Sequence, residues 1–134
     1  MRRWRYLWLL LWLVGILFPM AWLGNFSEKF QQMFNTLFSP EWMHWIMHAL
    51  LYAALAVLIM IVFERPLTKS SLGLVLVTTL IVGGLQEGWQ VLSGVQILRW
   101  NTVFDLGVDM LGALIGFGLS YWLRTKSRAY CASK

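Results

Sequence analysis

Four long apolar runs, separated by short connections that carry most of the charges, are the feature that most restricts the folds open to this chain. The runs cover residues 6–23, 41–63, 71–92 and 104–123, and each is close to the roughly 20 residues that a helix needs to cross a membrane. Only helices and closed barrels satisfy their backbone hydrogen bonds in lipid, and these runs lack the alternation of barrel strands. The sequence therefore predicts an all-α integral membrane protein, a four-helix bundle with one domain over residues 1–134.

The composition agrees with a membrane protein and argues against a nucleic-acid partner. Of the 134 residues, 59% are hydrophobic and 13% are charged, whereas soluble domains carry about 25% charged residues. The net charge of +5 comes from basic residues divided among the flanks of the apolar runs. We therefore attribute it to membrane topology and to attraction by anionic lipids.

The first run and the segment after it allow more specific predictions. Arg2, Arg3 and Arg5 before an apolar stretch also fit a signal peptide, but the run is long and has no small-residue cleavage site, which favours an uncleaved anchor. Residues 25–39 then place apolar side chains at helical spacing, which predicts a short amphipathic segment on the outer membrane surface. The apolar positions of this segment are Phe26, Phe30, Met33, Phe34, Leu37 and Phe38.

The distribution of lysine and arginine predicts the orientation. All but two of the 11 basic residues flank the runs on one side, and only Lys29 and Arg99 fall on the other. Basic residues mark cytoplasmic connections, so both termini are predicted to lie in the cytoplasm.

On this topology, polar residues of three helices and one connection meet in the outer third of the membrane. His44 and His48 share one face of the second run, as do Asp105 and Asp109 in the fourth, because residues four apart are neighbours on a helix. Glu87 and Gln90 face the same level from the third run, and Arg99 lies in the connection. Ionisable groups in a bilayer are costly and indicate a functional site by default.

A structural interpretation of the same residues stays open. The dipole at a helix start stabilises a negative charge such as that of Asp105. Gln86, Gln90 and Asn101 can join helices by hydrogen bonds. Arg99 can pair with an acid. Two G-x-x-x-G steps, Gly84 to Gly88 and Gly112 to Gly116, are typical of close helix packing.

The stretches that carry these residues resemble the VanZ-like family of small bacterial membrane proteins. The resemblance spans residues 41–119 and includes His48 with Tyr52, Glu87 with Gln90, and the run from Arg99 through Asp105 to Gly112, Ala113 and Gly116. Asp109 stands where the family usually has Asn, and His44 and Trp45 stand where it often has Asp-Lys. The family is named for a member linked to teicoplanin resistance, so the resemblance implies a bacterial inner-membrane protein of the cell envelope.

Two functions follow as hypotheses. In the first, the polar site binds an anionic cell-envelope lipid or a related glycopeptide or lipid ligand. Arg99 would hold the phosphate, His48 and Glu87 would transfer or orient a proton, and Asp105 and Asp109 would orient Arg99 or share a proton. In the second, the chain is a non-enzymatic accessory subunit of a larger membrane complex. The predicted partners are thus membrane lipids and other membrane proteins.

Other chemistries have weaker support. His44, His48, Glu87, Asp105 and Asp109 include metal-ligating types, but no H-E-x-x-H motif or cysteine cluster accompanies them, so no metal and no cofactor are predicted. A transport pathway would need charges through the membrane depth, and the inner half has almost none. No phosphate loop, nucleotide fingerprint or nucleophile motif assigns a reaction.

Overall fold

Four helices account for most of the chain. The computed structural model describes residues 2–18, 27–29, 32, 33, 36, 40–92 and 100–132. The helices are α1 (Arg2–Leu17), α2 (Glu41–Val62), α3 (Lys69–Leu92) and α4 (Trp100–Ala132). Three of them are long and apolar enough to cross a membrane: α2, α3 and the part Thr102–Lys126 of α4. The prediction of an all-helical chain is confirmed, and three of its four predicted spans are present at the expected places.

The first predicted span is described only in part. With 16 residues, α1 is about 24 Å long, and the end of the predicted run, residues 19–23, lies outside the described residues. In the predicted amphipathic segment, Met33 has helical backbone and is exposed. The other apolar positions of that segment, Phe26, Phe30, Phe34, Leu37 and Phe38, also lie outside the described residues.

Local sequence signals set the helix boundaries around α2 and α3. Pro40 is the residue before the first turn of α2 and has extended backbone (φ −75°, ψ 127°), which its ring favours. At the other end Glu64 has φ 49°, the left-handed conformation that ends many helices. Thr68 then caps α3, because its Oγ1 accepts a hydrogen bond from the Ser71 amide at 3.3 Å.

Helices α2 and α4 run parallel and make the most extensive helix–helix contact. Gly112 and Gly116 of α4 lie directly against the backbone of Ala49 and Ala53 of α2, so that a β-carbon added at either glycine would overlap an alanine carbonyl oxygen. Small residues four apart on both helices therefore allow the backbones to touch, as the G-x-x-x-G step predicts. This close parallel contact fixes which side chains of the two helices face each other.

Three contacts bring the basic ends of the helices together. Arg5 of α1 binds Glu64 just after α2 at 2.7 Å, and Arg124 of α4 donates to the carbonyl oxygens of Met60, at 2.7 Å, and Arg65. The Arg124 guanidinium thereby satisfies carbonyl groups at the end of α2 that lack helical partners. The start of α1, the end of α2 and the end of the apolar part of α4 thus lie at one end of the molecule.

The surface of the described part of the chain is apolar and several of its buried side chains are polar. Leu50, Ile81 and Leu85 are more than half exposed, whereas Thr79 and Asp109 are fully buried. Large contiguous apolar surfaces are rare on monomeric soluble proteins. The helices are therefore arranged as in a protein surrounded by lipid.

Candidate functional site

Two histidine–aspartate pairs connect α2 and α4 at the end opposite the basic residues. His48 Nδ1 and Asp109 Oδ1 are 2.8 Å apart, and the two side chains are only 5% and 0% exposed. One helical turn nearer the helix starts, His44 Nε2 is 3.7 Å from Asp105 Oδ2. The imidazole rings are 4.4 Å apart between centroids. The pairs form because both helices carry a polar residue every fourth position and run in the same direction.

In the pair nearer the helix starts the histidine is partly exposed, whereas both members of the pair one turn further along are buried. The His44 side chain is 44% exposed, while its partner Asp105 is 5% exposed. The cluster formed by His44, His48, Glu87, Asp105 and Asp109, which we call the polar cluster, therefore begins at the surface and continues into the interior.

Glu87 supplies the third side of the polar cluster from α3. It is 4% exposed, and neither of its carboxylate oxygens has a hydrogen-bond partner among the described residues. It lies within electrostatic range of Asp105, His48 and Asp109. Burying a carboxylate without a hydrogen-bond donor costs free energy, so Glu87 destabilises the described structure unless another group donates to it.

Tyr52 and Gly83 adjoin the polar cluster on its inner side. The Tyr52 hydroxyl donates a 2.9 Å hydrogen bond to Gln86 Oε1. A β-carbon at Gly83 would lie 2.9 Å from Asp109 Oδ2 and 3.4 Å from the Tyr52 oxygen. The missing side chain at Gly83 is therefore what gives the Asp109 carboxylate room against α3.

The balance of charges determines what the described part of the site can bind. Three carboxylates face two imidazoles, while the basic side chains Arg5 and Arg124 lie at the opposite end of the helices. Carboxylates accept hydrogen bonds and histidine can donate or accept them. The described residues thus offer hydrogen-bond acceptors and groups that can transfer a proton. An anionic group of a ligand would need a positively charged residue from outside the described part of the site.

Most of the predicted site residues lie together. The structure brings His44, His48, Tyr52, Glu87, Asp105 and Asp109 into contact or electrostatic range of one another. Gln90 is half-buried one turn beyond Glu87. Arg99, the predicted phosphate ligand, lies outside the described residues, and so does the side chain of Asn101.

Gly83, a neighbour of the site, and Thr79, one helical turn before it, were not predicted from the sequence. Thr79 is fully buried with no hydrogen-bond partner among the described residues for its hydroxyl, and Gly83 contacts Asp109. Both belong to a series with a spacing of four that ends at Glu87. That spacing is the signal that would have found them, since it places all three on one face of α3.

One packing prediction was wrong for the part of the chain that the structure describes. A β-carbon at Gly84 or Gly88 would meet nothing within 4 Å, and both glycines are exposed. This G-x-x-x-G step of α3 faces away from α2 and α4. Only the equivalent step of α4 is used to bring two of the described helices together.

A metal site receives no support from the described side chains. Within the described ranges, no three or more His, Cys, Asp or Glu side chains are arranged to hold a metal ion. The two histidines are each directed at a carboxylate.

Comparison with known proteins gives no relative. No protein-family model, no curated protein sequence and no solved structure matches this chain. Function therefore has to be argued from the polar cluster itself.

Proposed function

We propose that this chain is a multi-pass protein of the bacterial inner membrane, similar to the VanZ-like family, whose polar cluster binds the head group of an anionic cell-envelope lipid or a related lipid or glycopeptide ligand. α1, continued by the residues after Leu17, would form the fourth span of the bundle. The lysine and arginine distribution supports an orientation with both termini in the cytoplasm and the polar cluster near the outer leaflet.

The single observation that carries the proposal is the burial of Glu87 without a partner beside two histidine–aspartate pairs. A merely structural polar residue in a membrane interior pairs with its neighbours. Glu87 leaves both oxygens unused among the described residues. A bound ligand that donates hydrogen bonds would account for its presence.

The remaining groups take roles that follow from their chemistry. Arg99, in the connection before α4, would bind the head-group phosphate through its planar guanidinium fork. His44, which is half-exposed, would line the entrance, and His48 would orient Asp109 or exchange a proton with the ligand. We assign no reaction to the site.

Native mass spectrometry from a mild detergent tests this function. Wild type should retain a lipid, and Glu87→Gln and Arg99→Ala should lose it. Glu41→Gln is the matched control, because Glu41 is an exposed acid in the first turn of α2 and should leave retention unchanged. Equal retention by all four proteins would contradict the proposal.

The orientation has its own test in intact cells. The chain has one cysteine, Cys131, which we place in the cytoplasm. A membrane-impermeant maleimide should label Cys131 only after permeabilisation, and should label Met33→Cys in a Cys131→Ser background without it. Labelling of Cys131 in intact cells would overturn the orientation.

The second candidate function is an accessory subunit of a larger membrane complex. The exposed step from Gly84 to Gly88 favours it, because such surfaces allow another membrane helix to approach closely. In that case Gly88→Leu would release a stoichiometric protein partner in native mass spectrometry, and Glu87→Gln would not. Retention of a lipid that depends on Glu87, with no partner released, would favour lipid binding instead.

A further inference from the structure

Three buried acceptor atoms near one point of α3 have no donor among the described residues. They are both carboxylate oxygens of Glu87 and the Oδ2 atom of Asp109. Asp109 Oδ1 is already bonded to His48. An acceptor that is buried without a donor loses the hydrogen bonds it would make with water.

Gly83 shows where one of these acceptors lies. Asp109 Oδ2 lies against Gly83, at 2.9 Å from the position a β-carbon would take. Glu87 is one turn further along the same face, and a helical side chain leans over the turn before its own Cα. Leu106 Cδ1 at 2.9 Å and the Tyr52 oxygen at 3.4 Å fill the rest of the space beside Gly83, and the Glu87 and Asp109 carboxyl groups lie within electrostatic range of each other.

Two nearby donors are already engaged. The Tyr52 hydroxyl donates to Gln86, and His48 Nδ1 faces Asp109 Oδ1. A group that satisfies all three acceptors at once supplies several donors. A primary ammonium has three N–H donors, no acceptor, and a positive charge that offsets the excess of carboxylates.

The lipid-facing side of α3 provides a route for such a group. Gly84 and Gly88 are exposed and have nothing within 4 Å of a would-be β-carbon. Gly84 precedes Glu87 by three residues and is its neighbour on the helix surface, while Gly88 follows Glu87 directly and continues the same exposed side. Among the described residues, a group that approaches α3 at these two glycines meets no side chain there.

We infer that Glu87 and Asp109 bind the primary ammonium of an aminated envelope lipid, which enters beside Gly84 and Gly88. This inference rests on the proposed function for the lipid and its phosphate, and it changes the head group from an anionic one to one that carries a primary ammonium as well as the phosphate. The entry from the lipid side favours a lipid over a free amine as the source.

Defined bilayers test the inference. The protein is placed in nanodiscs of a neutral ether lipid that contain a small fraction of phosphatidylethanolamine, phosphatidylcholine or phosphatidylglycerol, and the lipid that remains bound is measured after extraction into detergent. Phosphatidylethanolamine should be retained at least about tenfold over phosphatidylcholine, because the trimethylated head group has no N–H donor. Equal retention of the two would overturn the inference.

Three variants separate the ammonium site from general effects. Glu87→Gln and Gly88→Leu should each lower phosphatidylethanolamine retention by about tenfold or more. The first removes the charge, and the second blocks the route without touching a carboxylate. Glu41→Gln should retain it as wild type does. Folding of each variant is checked by its thermal transition, so that Gly88→Leu remains informative where Glu87→Gln is unstable.

The other outcomes distinguish this inference from the proposed function. Glu87-dependent retention of phosphatidylglycerol alone would overturn the ammonium site and leave lipid binding intact. No Glu87-dependent retention of any lipid would overturn both. Competition by soluble glycerophosphoethanolamine, without retention of the intact lipid, would overturn the lipid source.

Discussion

Replacing Gly112 by alanine should separate α2 from α4 and disturb the polar cluster from a distance. A β-carbon at this position would lie 2.7 Å from the Ala49 Cα and overlap its carbonyl oxygen. Carbon atoms in contact prefer roughly 3.5–4.0 Å, and a backbone atom cannot rotate away. The two helices must therefore move apart by about 1 Å near this contact.

The expected cost combines three effects. Overpacking of a close contact costs about 1–3 kcal/mol, while alanine gains about 1 kcal/mol over glycine in helix propensity. Asp109 lies one turn before Gly112, so the displacement would also stretch the 2.8 Å bond to His48. Such bonds contribute about 0.6–1.7 kcal/mol in membranes. We expect a net loss of about 1–4 kcal/mol.

Unfolding in mixed micelles of increasing dodecyl sulfate content, followed by circular dichroism, measures this loss. Gly118→Ala is the matched control on the same helix, because nothing lies within 4 Å of a β-carbon there. It should be neutral or stabilising by up to about 1 kcal/mol. If Gly112→Ala were as stable as Gly118→Ala, the close parallel contact between α2 and α4 would be refuted.

Three further predictions use the same unfolding assay. Asp109→Asn should leave the free energy of unfolding nearly unchanged, because the amide oxygen can keep the His48 bond. Asp109→Leu should lower it by about 1–3 kcal/mol, because His48 is left unpaired. Equal losses of stability in the two variants would contradict this pairing. Arg124→Ala should cost about 1–2 kcal/mol by leaving carbonyl groups near the end of α2 without a donor. Lys126→Ala loses only an exposed cation–π contact with Trp122 at 5.0 Å and should cost less, about 0.5–1 kcal/mol. Trp12→Phe should cost about 0.6–1.7 kcal/mol by removing the 3.0 Å hydrogen bond from α1 to the α2 backbone, and an unchanged midpoint would argue against that contact.

The sequence was sufficient to predict the helices that could span a membrane. Apolar length alone gave α2 and α3 to within two residues, since a run of about 20 apolar residues has few other structures available in lipid. It did not give the end of α4, which continues to Ala132 beyond the predicted run. Apolar length predicts only the part of a helix that is suited to lipid. The helix itself continues because the polar residues after Leu123 are not helix breakers.

That the polar residues lie at one end of the helices was also predictable, but which of them pair with each other was not. A spacing of four places His44 with His48 and Asp105 with Asp109 on single helix faces. Which histidine meets which aspartate depends on the register of α2 against α4. That register follows from the contacts of Gly112 and Gly116 with α2, and no single-helix pattern contains it.

The two G-x-x-x-G steps illustrate the same limit. Both present small residues at identical spacing, and both predict close packing. Gly112 and Gly116 meet another helix, while Gly84 and Gly88 face outward among the described residues. The face that a step presents depends on the rotation of its helix, and in α3 the buried residues Thr79, Gly83 and Glu87 occupy the adjacent face.

Solid-state NMR of the protein in bilayers is the most direct test of a ligand at Glu87. With carboxyl-labelled glutamate, the chain gives four side-chain signals, from Glu28, Glu41, Glu64 and Glu87, and the Glu87→Gln variant identifies the last. The account predicts magnetisation transfer from lipid head-group protons to the Glu87 carboxyl carbon that persists in the Glu41→Gln control and disappears in Gly88→Leu. A Glu87 signal that receives transfer only from protein protons, in bilayers of every head group, would contradict the proposed site.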